Sequence, residues 1–221
     1  MRIVNTGSSF KIYDNSLQTF DSLPIQSYIV RYDKMSGFFL ESYPNIEITE
    51  KIYGVHKDKV AKVMKSFEIF DRNLGVILSG EKGIGKSICA KLLAEDAVKK
   101  GYPLIVVNQY IPGIADYITS IEQEVVVLFD EFDKTFFSGD RDSIGDPQTE
   151  MLTLFDGLSM GKKLFVVTCN ELKNLNNYLV NRLGRTHYHI RFDYLKEREG
   201  REYSTDESSA EAASGMEKDA L

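Results

Sequence analysis

Leu74-Gly75-Val76-Ile77-Leu78-Ser79-Gly80-Glu81-Lys82-Gly83-Ile84-Gly85-Lys86-Ser87-Ile88-Cys89-Ala90-Lys91-Leu92-Leu93-Ala94 is the stretch from which the rest of the chain is read. Its centre, Gly80 to Ser87, fits the pattern G-x-x-x-x-G-K-[ST] of a phosphate-binding loop. The residues before it read as a buried strand, and those after it as the first turns of a helix. Such a loop must turn sharply and bring backbone N–H groups against a polyphosphate, and glycine permits both. The following helix aims the positive end of its dipole at the same phosphates. Lys86 is placed to reach the outer phosphates, and the Ser87 hydroxyl to ligate Mg²⁺. A glycine-rich strand-to-helix turn without a ligand is the bland alternative; the flanking strand and helix argue against it.

Outward from this loop, residues 74–192 alternate between strand and helix patterns. Strands are expected at 76–79, 103–108, 125–130, 164–168 and 187–192, most of them apolar runs suited to burial on both faces. The last alternates and belongs nearer an edge. Helices are expected at 86–100, 114–122, 148–158 and 174–181, the first stopped by Gly101. The alternation implies a parallel five-stranded sheet flanked by helices, an α/β fold with right-handed crossovers. Residues 1–50 differ. Short aromatic runs at 10–13, 27–32 and 37–40, separated by turn signals, read as a small N-terminal β element. Residues 57–70 form an amphipathic helix with Val60, Val63, Met64, Phe67 and Phe70 on one face. The core is therefore expected over 51–195, followed by an acidic, polar tail at 196–221 that reads as disordered or weakly helical.

Bulk properties narrow the classes. At 221 residues there is room for one packed domain and an appendage. The net charge of −6 argues against binding nucleic acid by charge alone, while leaving a local basic patch open. The first residues show no apolar core of signal-peptide type, and no run approaches a membrane span. Cys89 and Cys169 have no metal-type spacing, and His56, His187 and His189 form no credible metal cluster. A cytoplasmic protein without a membrane partner is the expectation.

Two further strands end in chemistry. Val125-Val126-Val127-Leu128-Phe129 leads into Asp130 and Glu131. At the strand tip, Asp130 can hold the hydration shell of Mg²⁺ beside Ser87, and Glu131 can polarise an attacking water. Two solvated acids at a strand end are the alternative; Asp133 is a secondary candidate. Leu164-Phe165-Val166-Val167-Thr168-Cys169 leads into Asn170, which can orient the water near a γ-phosphate or simply turn the chain. In Asn181-Arg182-Leu183-Gly184-Arg185, Arg182 and Arg185 suit a transferring phosphoryl group, and suit equally the C-terminal end of a helix.

In order and spacing, Glu81–Ser87, Phe129-Asp130-Glu131, Thr168-Cys169-Asn170 and Arg182-Leu183-Gly184-Arg185 resemble the AAA+ ATPases, a P-loop NTPase family, and in particular the AAA-clade module. Phage-encoded modules with a small N-terminal β element are the kind most similar, which would place the chain in a host cytoplasm. The likeness runs from about residue 52 to 192. It implies ATP and Mg²⁺ as cofactors, with the nucleotide held by Gly80, Glu81, Lys82, Gly83, Ile84, Gly85, Lys86, Ser87 and Ile88. It implies Ser87 and Asp130 at the metal, Glu131 as the base, Asn170 as γ-phosphate sensor, and Arg182 and Arg185 acting on the next subunit's ATP. Tyr53 and Gly54 resemble the segment lining the adenine pocket, and read equally as a hydrophobic turn. Asn108 matches a polar switch residue. Tyr110 and the loop from residue 135 match channel-facing loops, though Tyr110, Phe136 and Phe137 can equally pack inward.

The resemblance has gaps. Leu183 replaces the usual proline, with the arginine spacing kept. Residues 193–221 are mostly polar and are not expected to form the small helical lid of the family. The function implied is Mg-ATP hydrolysis at subunit interfaces of a ring homo-oligomer, a hexamer by family likeness, that remodels or translocates a protein or nucleic-acid client. The competing reading is a nucleotide-gated scaffold or loader-like adaptor with negligible hydrolysis. A P-loop kinase would share the loop but gives no reason for the later motifs.

Overall fold

A computed structural model of the chain describes residues 1–5, 7–46, 48, 56–136, 147–155, 161–176, 178 and 188–192. In chain order these hold β1 (Arg2–Asn5), β2 (Phe10–Tyr13), β3 (Ser27–Asp33), β4 (Gly37–Tyr43), α1 (His56–Ile69), β5 (Leu74–Ser79), α2 (Lys86–Lys99), β6 (Leu104–Val107), α3 (Ile114–Thr119), β7 (Val125–Phe129), α4 (Phe132–Thr135), α5 (Pro147–Phe155), β8 (Lys163–Cys169) and β9 (Tyr188–Arg191). Every residue of β5, β6, β7 and β8 is buried, which is why these strands read as largely apolar runs.

The main sheet has seven strands in the order β4-β3-β6-β7-β8-β5-β9. The five strands expected from the sequence are all present and mutually parallel, and β9 lies at an edge as its alternation implies. The other two come from the N-terminal segment. There β3 pairs in parallel with β6 and antiparallel with β4, so the 27–43 hairpin extends the core sheet instead of standing apart. The reason lies in Ser27-Tyr28-Ile29-Val30, four consecutive buried residues, which a one-faced hairpin would not need. Only β1 and β2 form a separate two-stranded antiparallel sheet, and β1 is a strand that the sequence reading leaves out.

Period-two alternation sends the strands' side chains to two cores. On one face Val76, Leu78, Leu104, Val106, Val126 and Val166 pack with α1 and α2. On the other, Ile77, Ile105, Val127, Phe129, Phe165 and Val167 pack with α3, α4 and α5. Of the apolar face expected on α1, Val60, Val63, Met64 and Phe67 are buried. Phe70 lies past the helix end, 40% exposed, beneath the Arg72 guanidinium at 5.4 Å. Gly101 stops α2 as expected, with φ 90°. Of the helix expected at 174–181, Asn174 instead ends a 3-10 turn begun at Leu172 and Leu175 is extended; residues 177 and 179–187 fall outside the described residues, as does the tail beyond 192. Among the described residues no helix is long and apolar enough to cross a membrane.

One buried cation sits at the end of the sheet remote from the phosphate-binding loop. Lys163 opens β8 fully buried, and its Nζ donates to the carbonyls of Ile121 (2.8 Å) and Gly161 (3.1 Å). Burial pulls its pKa down to about 8 from 10.5. A neutral amine can still donate to both carbonyls, so the fold favours losing the proton. Between about pH 8 and 10.5 the unfolded chain therefore binds the extra proton and stability rises with pH; below 8 this contribution is flat. Urea unfolding across a pH series should show that slope in the wild type and its absence in Lys163→Met.

Candidate active site

The loop after β5 is built on glycine conformations other residues resist. Gly80, Gly83 and Gly85 have φ of 143°, 86° and 96°. A Cβ on Gly80 would lie 2.3 Å from the carbonyl oxygen of Phe192 and 2.5 Å from Ile84 Cδ1, so the chain leaving β9 is packed directly against the loop. His56, the first residue of α1, stacks its ring on Phe192 with centroids 5.4 Å apart. Gly85 then starts α2 without any side-chain cap. The first-turn N–H groups of that helix have no intrahelical partner, which leaves an anion-binding helix end.

Lys86 is folded inward, 8% exposed. Its Nζ donates to the carbonyl oxygens of Gly80 and Glu81, each at 2.6 Å, and to Asn170 Oδ1 at 3.2 Å. Neutral oxygens hold the ammonium here; among the described residues it makes no ion pair. The parallel pairing of β5 with β8, which runs to Ser79 opposite Cys169, brings Asn170 to this lysine.

The acids emerge one strand further along. Thr168 Oγ1 donates to Asp130 Oδ1 at 2.6 Å and accepts the Glu131 N–H at 2.8 Å. Glu131 has φ 47°, and among the described residues no other non-glycine residue has a positive φ. Backbone held in this region marks a strained corner of the kind found at functional sites. Its carboxylate pairs with Lys134 at 2.6 Å, and hydrogen bonding to Glu131 raises the Lys134 pKa. Beyond it Asp133 is buried. One of its oxygens accepts the Asn170 N–H at 3.1 Å, and the other has no hydrogen-bond partner among the described residues.

These groups share a cavity of about 310 Å³. Lys82, Gly83, Gly85, Lys86, Ser87 and Ile88 line one side, and Asp130, Glu131 and Asn170 the other, with Thr168 and Cys169 between. Gly80, Glu81 and Ile84 instead line an adjoining cavity of about 790 Å³ bounded by Arg191 and Phe192. At its floor Ser79 Oγ lies 2.6 Å from His189 Nε2, and burial, then the Arg191 charge, lower the His189 pKa. The donor set suits Mg²⁺ held partly by phosphate: the carboxylates of Asp130 and Glu131 and the hydroxyls of Ser87 and Thr168, the latter bonded to Asp130, line the cavity, and among the described residues no cluster of three acidic, histidine or cysteine ligands exists to cage a metal alone.

Several candidates fall elsewhere. Tyr110 is half-buried, its hydroxyl donating to Glu150 Oε2 at 2.6 Å and its ring 5.7 Å from that of Phe136, so it packs inward. Phe136 is fully buried in the same core. Asn108 is exposed at the end of β6, while the Glu131 carboxylate is held by Lys134. Tyr53, Gly54, Arg182, Arg185 and Phe137 lie outside the described residues. Sequence reasoning missed Thr168 as a site residue. The signal was available: it stands at the end of an apolar strand, one residue from its last, and is a hydroxyl amid aliphatic neighbours. Both free cysteines are buried, which pushes the Cys89 thiol up to about 11 and that of Cys169, beside Asp133, up to about 12.

A family model described as "ATPase family associated with various cellular activities (AAA)" matches residues 76–194, more than half of the chain. No curated protein matches the sequence. Among solved structures, a DNA replication initiation factor is similar over 76% of this chain and 55% of its own, at 17% identity and TM-score 0.51. A single-substitution variant of RuvB from Thermotoga maritima matches over 65% and 46%, at 15% identity and TM-score 0.48. AMPPCP-bound DnaA from Aquifex aeolicus matches over 68% and 51%, at 17% identity and TM-score 0.47. The chain thus spans about half the length of these structures, and at such identities the first of them supports the fold alone.

The packing of Phe192 against the loop is open to test. Gly80→Ala places a methyl group into that carbonyl and into a backbone region alanine avoids. A loss of about 1–3 kcal/mol is expected in urea unfolding, whereas Gly83→Ala, with nothing within 4 Å of its added Cβ, carries only the backbone strain of its positive φ.

Proposed function

The chain belongs to the AAA family of ATPases, and from that membership we propose that it is a Mg-ATP-dependent hydrolase working at the interfaces of a ring homo-oligomer. One observation carries the reading: Lys86 and Ser87 of the loop line the same cavity as Asp130, Glu131 and Asn170. The ATPase core is assigned to residues 51–195, with the β3–β4 hairpin widening its sheet.

The lining of the cavity and the family resemblance support a task for each residue. The N–H groups at the start of α2 and the Lys86 ammonium receive the β- and γ-phosphates. To do so Lys86 exchanges the Gly80 and Glu81 carbonyls for phosphate oxygens, a gain in charge complementarity. Ser87 and Asp130 would hold Mg²⁺, which when bound neutralises charge on the phosphates. Glu131 takes the proton of the attacking water, and Asn170 orients that water against the γ-phosphate. Arg182 and Arg185 from a neighbouring copy stabilise the developing charge, on the order of 10³–10⁵ in rate for groups of this kind. Loss of the γ-phosphate releases Asn170 and the neighbour's arginines, and the resulting subunit motion would act on a protein or nucleic-acid client.

A specific contact favours a second reading. The Lys134–Glu131 pair at 2.6 Å occupies the proposed base. If it persists with nucleotide bound, the protein is a nucleotide-gated scaffold that binds ATP and hydrolyses it negligibly. Both partners are about half-exposed, so the pair is weak and a competing interaction can displace it.

Two measurements decide between these. Glu131→Gln should bind Mg-ATP as the wild type does while multiple-turnover phosphate release falls to background; undiminished hydrolysis would remove Glu131 from the role of base. Specific activity should also rise with protein concentration and drop on Arg182→Ala or Arg185→Ala, because the pocket is completed by a second copy. Activity independent of concentration, at full rate, would mean each chain acts alone.

A further inference from the structure

The two acids are aimed by one buried hydroxyl. Thr168 is 2% exposed, near the end of β8, which is paired with β7 on one side and β5 on the other. The Glu131 N–H can only donate, so Thr168 Oγ1 is the acceptor of that bond, and its single hydrogen is committed to Asp130 Oδ1. Both bonds are short, 2.8 and 2.6 Å, and the direction of each is fixed by this count. One Asp130 oxygen is thereby occupied and the other left for the cavity. The other bond, from the Glu131 N–H, pins the backbone of Glu131 in its left-handed conformation.

We propose that Thr168 is a positioning residue for the reaction, setting Asp130 and Glu131 relative to each other and hence the metal relative to the activated water. Though it lines the cavity, its hydroxyl is taken up by Asp130 and the Glu131 N–H, so it acts through them. The inference rests on the ATPase reading above and deepens it. A β-branched residue filling the core of a central strand would be satisfied by valine, which keeps the shape and loses only the hydroxyl. The structure shows the hydroxyl in use at both ends, and groups of this kind behind a metal-binding carboxylate contribute about 10–100-fold.

The test compares the full chain with Thr168→Val and Thr168→Ser. In nucleotide-free protein, deuterium exchange at the Glu131 amide should accelerate in Thr168→Val and stay slow in Thr168→Ser. In the presence of ATP, Thr168→Val should raise the Mg²⁺ concentration giving half-maximal nucleotide binding and lower kcat by about 10–100-fold with KM little changed, and Thr168→Ser should restore both. Should Thr168→Val not fold, Thr168→Ala is measured in its place. A Thr168→Val protein with wild-type amide exchange, Mg²⁺ midpoint and kcat overturns the assignment. So does a Thr168→Ser protein as impaired as the valine, which would make the methyl group the essential part. Wild-type protein that fails to bind Mg-ATP overturns the ATPase reading itself and takes this assignment with it; wild-type binding with an unaffected valine variant overturns the Thr168 assignment alone.

Discussion

Everything at the candidate site follows from β5 lying between β8 and β9, parallel to both. The register that sets Ser79 against Cys169 and Arg191 delivers three chain segments to the same edge. The glycine loop leaves from the middle strand, Asn170 from one neighbour and Phe192 from the other. Parallel strands point their carboxyl ends the same way, so β7, one place further on, must bring Asp130 and Glu131 to that edge too. No long-range electrostatics is needed to gather the charged groups. The hydrogen-bond ladder, driven by burial of the strands on both faces, does so first.

Beneath the acids the positioning is steric. Phe129 ends β7 with its ring centroid 5.7 Å from those of Phe132 and Phe136, 5.8 Å from Phe155 and 6.5 Å from Phe165. Phe132 and Phe136 bracket the short α4, and both are fully buried. Between Phe129 and Phe132 there is room for only two residues, Asp130 and Glu131. They turn outward because the residues on either side are anchored inward, and the left-handed backbone of Glu131 closes so tight a corner. Aromatic burial, with edge-to-face geometry at most of these contacts, thus holds the strain at the site.

The glycine loop, the five parallel strands and their flanking acids were legible because each is a local signal: a motif at fixed spacing, or a run of apolar residues long enough to be buried on both faces. What was not legible is relational. Ser27-Tyr28-Ile29-Val30 reads as a strand, but only its pairing with β6 shows that it belongs to the core sheet. β1 holds a single partly buried residue and is recognisable only through its partner β2. Tyr110 carried two readings, and Glu150, forty residues away in sequence, settles its hydroxyl inward. Thr168 was passed over and Asp133 ranked only second for a similar reason: their importance lies in hydrogen bonds to residues 37 or 38 positions distant, which no spacing rule encodes.

The burial of both cysteines has a practical corollary. A thiol reacts as its thiolate, and in Cys89 and Cys169 that form is disfavoured far beyond neutral pH. Maleimide chemistry on the native fold therefore begins from a silent background. A cysteine introduced at one exposed position, such as Met35 at the tip of the β3–β4 hairpin (94% exposed), would be the lone attachment point for a dye or spin label, with no need to strip out the natural sulfhydryls.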